Sequence, residues 1–363
     1  MITTGLQGFA SVAWSSQDLR SQFTELSRQV ASGQRNDSYA GFGIDARRVI
    51  DLRAERSLRE ALTVSVRTGE AFAEAAQLAL DGISKSASGI LDRSTRLLAT
   101  GLPASDAQAI GLTAEQARSA LREIVGLLGE RFAGEAIFGG ADPSGTPIVA
   151  PDDMQATGLF AQIGNAVRGL ANTNGQSVLA ATLDLAKSND PAISPFRGFA
   201  AQAAAGLEPD SRRNVPVGDG LRVDVGLYVY RNATVPTDDP NSTGSWARDL
   251  IRGLSIIGNF EGNQFVQTQE YVVVAQGALA ALRAGVNGLL EEQGALGYAQ
   301  QRLTSAAQRN DDLATQLDGQ ISNLESVDIS DTITRLMAVR SQMEASYRAI
   351  VLLADMTLTR FLR

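Results

Sequence analysis

Apolar residues at both ends of the chain recur at alternating spacings of four and three residues. This spacing places one apolar seam along one side of a helix, and such a seam needs a partner helix to cover it. The ends of ordinary domains are usually polar and frayed, so seams at both ends indicate a protein that works by assembling. We predict an assembly seam on the two terminal helices, formed by Leu19, Phe23, Leu26, Val30, Ile333, Leu336, Met343, Tyr347 and Ile350.

The same pattern predicts long helices in the interior of the chain. A strict four-three repeat runs from Leu62 to Leu97, and small residues dominate its seam. Gly33 is expected to end the first helix, and Ser330 is expected to cap the start of the last one. Before that last helix, the pattern predicts helices over about residues 4–32, 45–100, 104–132 and 269–325.

The middle of the chain has a different character, because prolines and glycines recur from Gly140 onward. Apolar residues at every second position from Leu221 to Val229 have the period of a strand. We therefore predict a mainly α fold, an elongated antiparallel helical bundle or coiled coil formed by both chain ends, with a small β-containing domain inserted in the middle. The predicted divisions are an N-terminal inner coiled-coil helix (1–40), a first rod half (41–140), a variable outer domain with strands (141–262), a second rod half (263–327) and a C-terminal inner coiled-coil helix (328–363).

Charge and composition narrow the classes of function. The 363 residues carry a formal net charge of −8 and show no basic stripe, which argues against nucleic acid and anionic membranes as partners. No apolar run approaches the roughly 20 residues that span a bilayer. The chain has no cysteine and no histidine, so it lacks thiolate metal ligands, disulfides and the commonest general base. We expect neither an enzyme nor a bound cofactor, although carboxylate or Ser/Lys chemistry stays open.

Four parts of the sequence resemble the bacterial flagellin family. Residues 26–35 (LSRQVASGQR) are similar to its N-terminal L-x-x-Q-x-S/A-S/T-G-K/Q-R segment, and residues 134–140 (GEAIFGG) resemble its G-x-Y-x-F-x-G motif. Residues 323–328 (NLESVD) are similar to the E-x-x-D junction before the last helix. Residues 344–347 (EASY) and 358–362 (LTRFL) resemble the C-terminal tail, L-x-A-S-Y … S-L-x-x-x-L. The resemblance covers about the first 140 and last 95 residues, because the middle of these proteins is variable.

Departures from the family pattern point to a subtype. The chain begins Ile2-Thr3-Thr4-Gly5 where filament subunits usually carry I-N-T-N, and it lacks their N-V-L-S-L-L ending. Residues 36–43 also replace the P-S-D-D-P type of loop that many relatives have. Within the family these differences favour the proteins that join the flagellar hook to the filament.

The resemblance implies a secreted, self-assembling structural component of the bacterial flagellum. Its implied partners are copies of itself, flagellin, other hook-associated proteins and an export chaperone. The implied location is extracellular, reached through the flagellar type III export channel without cleavage of a signal peptide. The start of the chain agrees, since it lacks the basic segment and continuous apolar core of such a peptide.

Three alternatives remain open at this point. The chain could be the filament subunit itself, which differs from a junction protein mainly in abundance. It could be a helical tip or translocator protein of another type III secretion system, a class expected to carry a hydrophobic membrane-inserting segment. An enzyme within the middle block would need paired acids in a cleft.

Overall fold

The computed structural model of the chain describes residues 3–99, 107–140, 142–155, 157–201, 212–218, 220–233, 241–261 and 269–361. Long helices dominate it and the described strands form two small hairpins, which confirms the predicted mainly α fold with a β-containing insert. The helices are α1 (Thr3–Ser32), α2 (Ala46–Ala99), α3 (Ala107–Leu128), α4 (Pro151–Met154), α5 (Gly158–Arg168), α6 (Gly175–Lys187), α7 (Trp246–Gly258), α8 (Gln269–Glu325) and α9 (Ile329–Phe361). The strands are β1 (Arg131–Phe132), β2 (Glu135–Ala136), β3 (Asn214–Gly218) and β4 (Leu221–Asp224), each pair antiparallel.

The chain divides into two compact units, one made of residues 1–60 and 311–363 and the other of residues 61–310. In the first unit, α1 packs against α9. Arg20 of α1 meets Tyr347 of α9, while Gln34 forms a backbone bridge with Ser326 before α9 begins, so the two helices run antiparallel. The predicted antiparallel pairing of the chain ends is therefore present within a single chain.

In the second unit, α2 and α8 also run antiparallel. Thr304 donates a hydrogen bond to Glu70 at 2.8 Å, and Gln293 donates one to Asp81 at 2.7 Å. Small side chains allow a close approach between α2 and α3, because a Cβ added at Gly82 would lie 2.9 Å from the Leu127 side chain. The small-residue seam predicted for α2 thus serves packing inside the protein.

Helix α7 is buried along its whole length in the second unit. Its glycine at 253 leaves room for α8, since an added Cβ there would lie 2.7 Å from Leu282. Its Arg248 donates to the carbonyl oxygens of Ala186 (2.8 Å) and Ser188 (3.1 Å) at the end of α6. Cations near a helix C-terminus satisfy its last carbonyl groups, and burial lowers the pKa of Arg248 to about 10.

The strand predicted from Leu221 to Val229 is shorter than expected, because β4 ends at Asp224. The backbone N–H groups of Val225 and Gly226 both donate to the Arg213 carbonyl oxygen, which closes the hairpin. The apolar alternation continues past that point because residues 225–230 are all buried. Period-two spacing therefore overestimated the length of the strand. Besides the β3–β4 hairpin, the middle of the chain contains the helices α4, α5, α6 and α7.

Helix boundaries mostly follow the pattern. Helix α8 matches the predicted 269–325 and Gly33 ends α1 with a φ of +69°. Helix α3 is shorter than predicted because a β1–β2 turn follows it, with Ala133 and Gly134 at positive φ. Residues 36–43 were predicted as loop, but part of this segment belongs to a short 3-10 helix, Tyr39–Asp45.

One described helix, α8, contains an 18-residue window long and apolar enough to cross a membrane by length and composition. A count of consecutive apolar residues misses such a window. The prediction that no segment is long and apolar enough to span a bilayer therefore does not hold for α8 by this criterion. Over half of the window, 56%, is buried inside the protein. Core helices pass the same test, which makes this weak evidence for a membrane segment.

Candidate assembly site

The nine predicted seam residues all lie on α1 and α9, the two helices that pack together in the first unit. None of them is fully buried: eight are partly exposed, and Tyr347 is 36% exposed. Arg20 Nε donates to the Tyr347 hydroxyl at 2.6 Å, and its guanidinium lies 5.4 Å from the Tyr347 ring centroid. The structure thus places the seam residues on two helices that pack together within one chain, and their role in contacts between copies stays a prediction.

Other apolar side chains of the same two helices face outward. Trp14 of α1 is 76% exposed, and Met337 of α9 is 66% exposed. Val351, two heptads after Met337, and the adjacent Leu352 are similarly exposed, so these three share one side of α9. An exposed apolar surface on a helix pair is typical of a site that another molecule covers. The seam prediction missed these residues because it followed only the stripe shared by both helices.

The base of the α1–α9 pair is fixed by a network of backbone and charged contacts. The Arg35 N–H donates to the Glu325 carbonyl oxygen at 2.6 Å, and the Val327 N–H donates to the Gly33 carbonyl oxygen at 3.1 Å. The Glu325 side chain pairs with Arg53 at 2.7 Å and raises the pKa of that guanidinium. The end of α1 and the start of α9 therefore have a fixed separation.

Asp328 caps the start of α9. Its Oδ1 accepts hydrogen bonds from the backbone N–H groups of Ser330 (2.9 Å) and Asp331 (3.1 Å). The prediction that Ser330 caps this helix is therefore wrong by two positions, since α9 already includes Ser330 in its first turn. A carboxylate here both satisfies free N–H groups and opposes the positive end of the helix dipole.

Replacing Asp328 by alanine is expected to destabilise the first turn of α9 by about 1 kcal/mol, the usual cost of losing a capping oxygen. Amide hydrogen exchange should show faster exchange of the Ser330 and Asp331 N–H groups. The matched control is Ser330→Ala, which should exchange like the wild type because the Ser330 side chain makes no cap. Equal effects of the two substitutions would contradict the assignment.

The second unit contains a buried ionisable side chain, Glu292. Glu292 of α8 is 0% exposed, and burial raises its pKa to about 7, although the guanidiniums of Arg212 and Arg231 and the Tyr228 N–H oppose the rise. Both guanidiniums stack against the Tyr228 ring: the Cζ atom of Arg212 lies 3.8 Å from the ring centroid and that of Arg231 lies 4.0 Å from it. A raised pKa can mark a catalytic acid, but a side chain sealed from solvent offers a substrate no access. Sequence reasoning missed Glu292 because nothing in its position distinguishes it from the adjacent Glu291.

The described residues contain no group of three or more acidic side chains arranged to hold a metal ion. The first unit instead presents exposed apolar side chains on a helix pair, and hydrogen bonds fix the end of α1 to the start of α9. This arrangement suits a contact with another protein better than chemistry on a small substrate.

Comparisons with known proteins agree with this description. Residues 279–362, which include most of α8 and all of α9, match the C-terminal helical region of bacterial flagellins. The fold is similar to a solved structure from Vibrio parahaemolyticus that is described, provisionally, as a flagellar hook-associated protein. That likeness has a TM-score of 0.51 at 10% sequence identity and covers 77% of this chain and 97% of the other, so it shows the fold alone. No curated protein matches the chain by sequence.

Proposed function

We propose that this chain, which carries a flagellin-type C-terminal region, is a structural component of the bacterial flagellum that joins the hook to the filament. The observation that carries the proposal is the coincidence of two findings on α9. This helix lies within the matched flagellin region, and it is also the helix that packs on α1 with apolar side chains left outward. The chemistry that this site supports is therefore helix packing.

One feature favours the junction protein, the type called hook-associated protein 3, over the filament subunit. The start and end of the chain depart from the filament pattern, as described above. The fold is also similar to the Vibrio protein described as hook-associated, which at 10% identity supports a shared architecture only. The filament subunit remains the second candidate, because the matched family model is that of flagellin.

Assembly would place the exposed side chains of α1 and α9, among them Trp14 and Met337, against neighbouring subunits. The proposed partners are copies of this chain, flagellin on one side and other hook-associated proteins on the other. Before export the same apolar surface would need cover, which is the role we assign to an export chaperone. The chain has no cysteine, so no disulfide can hinder passage of the unfolded chain through a type III channel to the cell exterior.

Immunogold electron microscopy with an antibody against residues 141–260 tests the proposal. We expect label confined to one band between hook and filament, and none on a strain that lacks the gene. Label along the whole filament would assign the chain to the filament subunits. Absence of label from every flagellum, with the protein expressed, would overturn the flagellar role and favour a secreted protein of another type III system.

A further inference from the structure

The second unit leaves one side of α2 open to solvent. Leu78 on this side is 67% exposed, and a Cβ added at Gly89, three turns further along, would meet no packing partner within 4 Å among the described residues. Glu74, Lys85 and Asp92 are exposed on the same side. This side, which we call the α2 face, therefore presents an apolar side chain, a gap and a row of charges that alternate in sign.

One side of α8 is open in the same way, and we call it the α8 face. Leu290 is 52% exposed there, and Cβ atoms added at Gly294 and Gly297 would meet no packing partner within 4 Å in the described part of the chain. Tyr298, beside this gap, is 65% exposed. Glycine destabilises the middle of a helix relative to alanine, and packing within the chain gives no reason for these two glycines.

The exposed charges of the two faces match in sign and in spacing. From Glu74 onward the α2 face runs acid, base, acid at intervals of eleven and seven residues. From Arg302 backward the α8 face runs base, acid, base at intervals of eleven and eight residues. Antiparallel helices therefore bring opposite charges together, in the pairs Glu74–Arg302, Lys85–Glu291 and Asp92–Arg283. A parallel arrangement would misplace two of these pairs by about one turn.

We propose that the α2 face of one copy of this chain packs antiparallel on the α8 face of the next copy. In the register set by the charges, Leu78 comes level with Gly297 and enters the gap beside Tyr298. Leu290 comes within about one turn of Gly89, the gap on the α2 face. Each face thus supplies a leucine for the space that the other leaves, and the charge pairs select this register.

The remaining charges nearby set the limits of the contact. Asp81 accepts hydrogen bonds within its own chain, and Glu292 is buried, so neither belongs to a face. Arg93 lies about 100° around the helix from its exposed acidic neighbour. Arg67 would come opposite Arg309, so the contact ends before them. Within these limits the α2 face has one more acidic than basic residue, and the α8 face has one more basic than acidic residue.

The register also predicts the offset between neighbouring copies. Within one chain, Thr304 is level with Glu70 and Gln293 is level with Asp81, because hydrogen bonds join them. Between copies, Thr304 comes level with Ala71, which is one residue further along α2. One residue of helix rises about 1.5 Å, so neighbouring copies stand almost side by side.

A contact between two different faces of identical chains is heterologous, and it repeats from copy to copy. The small offset favours a ring over a steep helical stack. The inference deepens the proposed function, because it rests on self-assembly and names a contact that would carry it.

A photo-cross-linking amino acid at position 78, in cells that make the protein, tests the contact. We expect adducts that join two copies, mapped by mass spectrometry to residues 294–298. In chains that carry the cross-linker, Gly297→Leu should lower the yield about tenfold because it fills the gap. It should also raise the thermal midpoint, because it removes a helical glycine. The matched control is Gly319→Leu, at an equally open glycine of α8 beyond the contact, which should leave the yield unchanged.

Charge reversal tests the register independently. Glu74→Lys combined with Asp92→Lys should lower the yield of adducts about tenfold. Adding Arg283→Glu and Arg302→Glu to the same chain should restore the yield, because every pair then has opposite signs again. Circular dichroism of each variant separates a lost contact from a lost fold.

Glu130→Lys combined with Asp184→Lys is the charge-matched control, since both positions are exposed and lie outside the two faces. It should leave the yield unchanged. Adducts with another protein or with a different part of the chain would overturn the proposal, as would a charge reversal that the second pair of substitutions fails to rescue. Immunogold label at the junction without these adducts would remove only this contact, whereas adducts without flagellar label would remove only the flagellar role.

Discussion

Leu336→Asp is expected to abolish assembly of the protein while leaving the second unit folded. Leu336 is a partly buried residue of α9 in the helix pair with α1. A carboxylate placed against an apolar partner helix without an ion-pair partner costs several kcal/mol. Most of the stability of a protein helix comes from the packing of its apolar face, so α1 and α9 should separate once that packing is lost. The surface that both helices present to other subunits would disappear with them.

The fraction of secreted protein incorporated into flagella measures this effect, and near-complete loss is the expected result. Leu336→Met is the matched control, because a volume-conserving apolar substitution usually costs less than about 1.5 kcal/mol. Near-ultraviolet circular dichroism should show that Trp246, buried in the second unit, keeps its native signal. Normal incorporation of the aspartate variant would show that the α1–α9 pair is not the assembly site.

Glu292→Gln is expected to stabilise the second unit in alkaline solution and to have little effect in acid. Burial raises the pKa of Glu292 from the ordinary 4.5 to about 7. The folded protein therefore keeps a proton that the unfolded chain loses, and its stability falls as the pH rises from about 4.5 to about 7. Above that range the whole penalty applies, on the order of 3 kcal/mol for a shift of this size. Glutamine has the same shape and no charge, so it avoids the penalty.

Chemical denaturation at about pH 5 and about pH 8 tests this prediction. The difference between wild type and Glu292→Gln should be small at the lower pH and should grow to a few kcal/mol at the higher one. Glu291→Gln is the control, since Glu291 is the exposed neighbour on the same helix. Its charge contributes less than burial to the raised pKa of Glu292, so the growth should be far smaller. The opposite sign would mean that Arg212 and Arg231 stabilise the Glu292 carboxylate more than burial destabilises it.

Helical periodicity was sufficient to predict the long elements, because each packs one continuous apolar face. The helix predicted over about residues 45–100 is α2, Ala46–Ala99, and α8 was predicted at its observed bounds. Gly33 was identifiable as a helix end because only a residue without a Cβ adopts its conformation easily. The N-cap was misplaced at Ser330 because serine and aspartate cap equally well, and only geometry separates them.

The middle of the chain was harder to predict for a physical reason. Residues 225–230 are buried on both sides, so their alternation carried no information about strand pairing. Helix α7 has an amphipathic sequence but is buried along its whole length, so its pattern did not reveal that it is a core helix. The seam residues were found because they continue one four-three stripe, while the outward side chains at Met337 and Val351 lie beside that stripe and were missed.

The burial of α7 has a consequence for the order in which the chain can fold. Helix α7 packs against Leu282 of α8, which follows it in the chain. Its Gly258 also packs against Arg118 of α3, which lies more than 100 residues earlier. Trp246 at its start donates to the Tyr228 carbonyl oxygen at 2.8 Å, a further contact distant in sequence. Contacts between residues far apart in sequence form slowly because loop closure must precede them. A chain that emerges N-terminus first therefore cannot complete this core until α8 has followed, so folding of the second unit must come late.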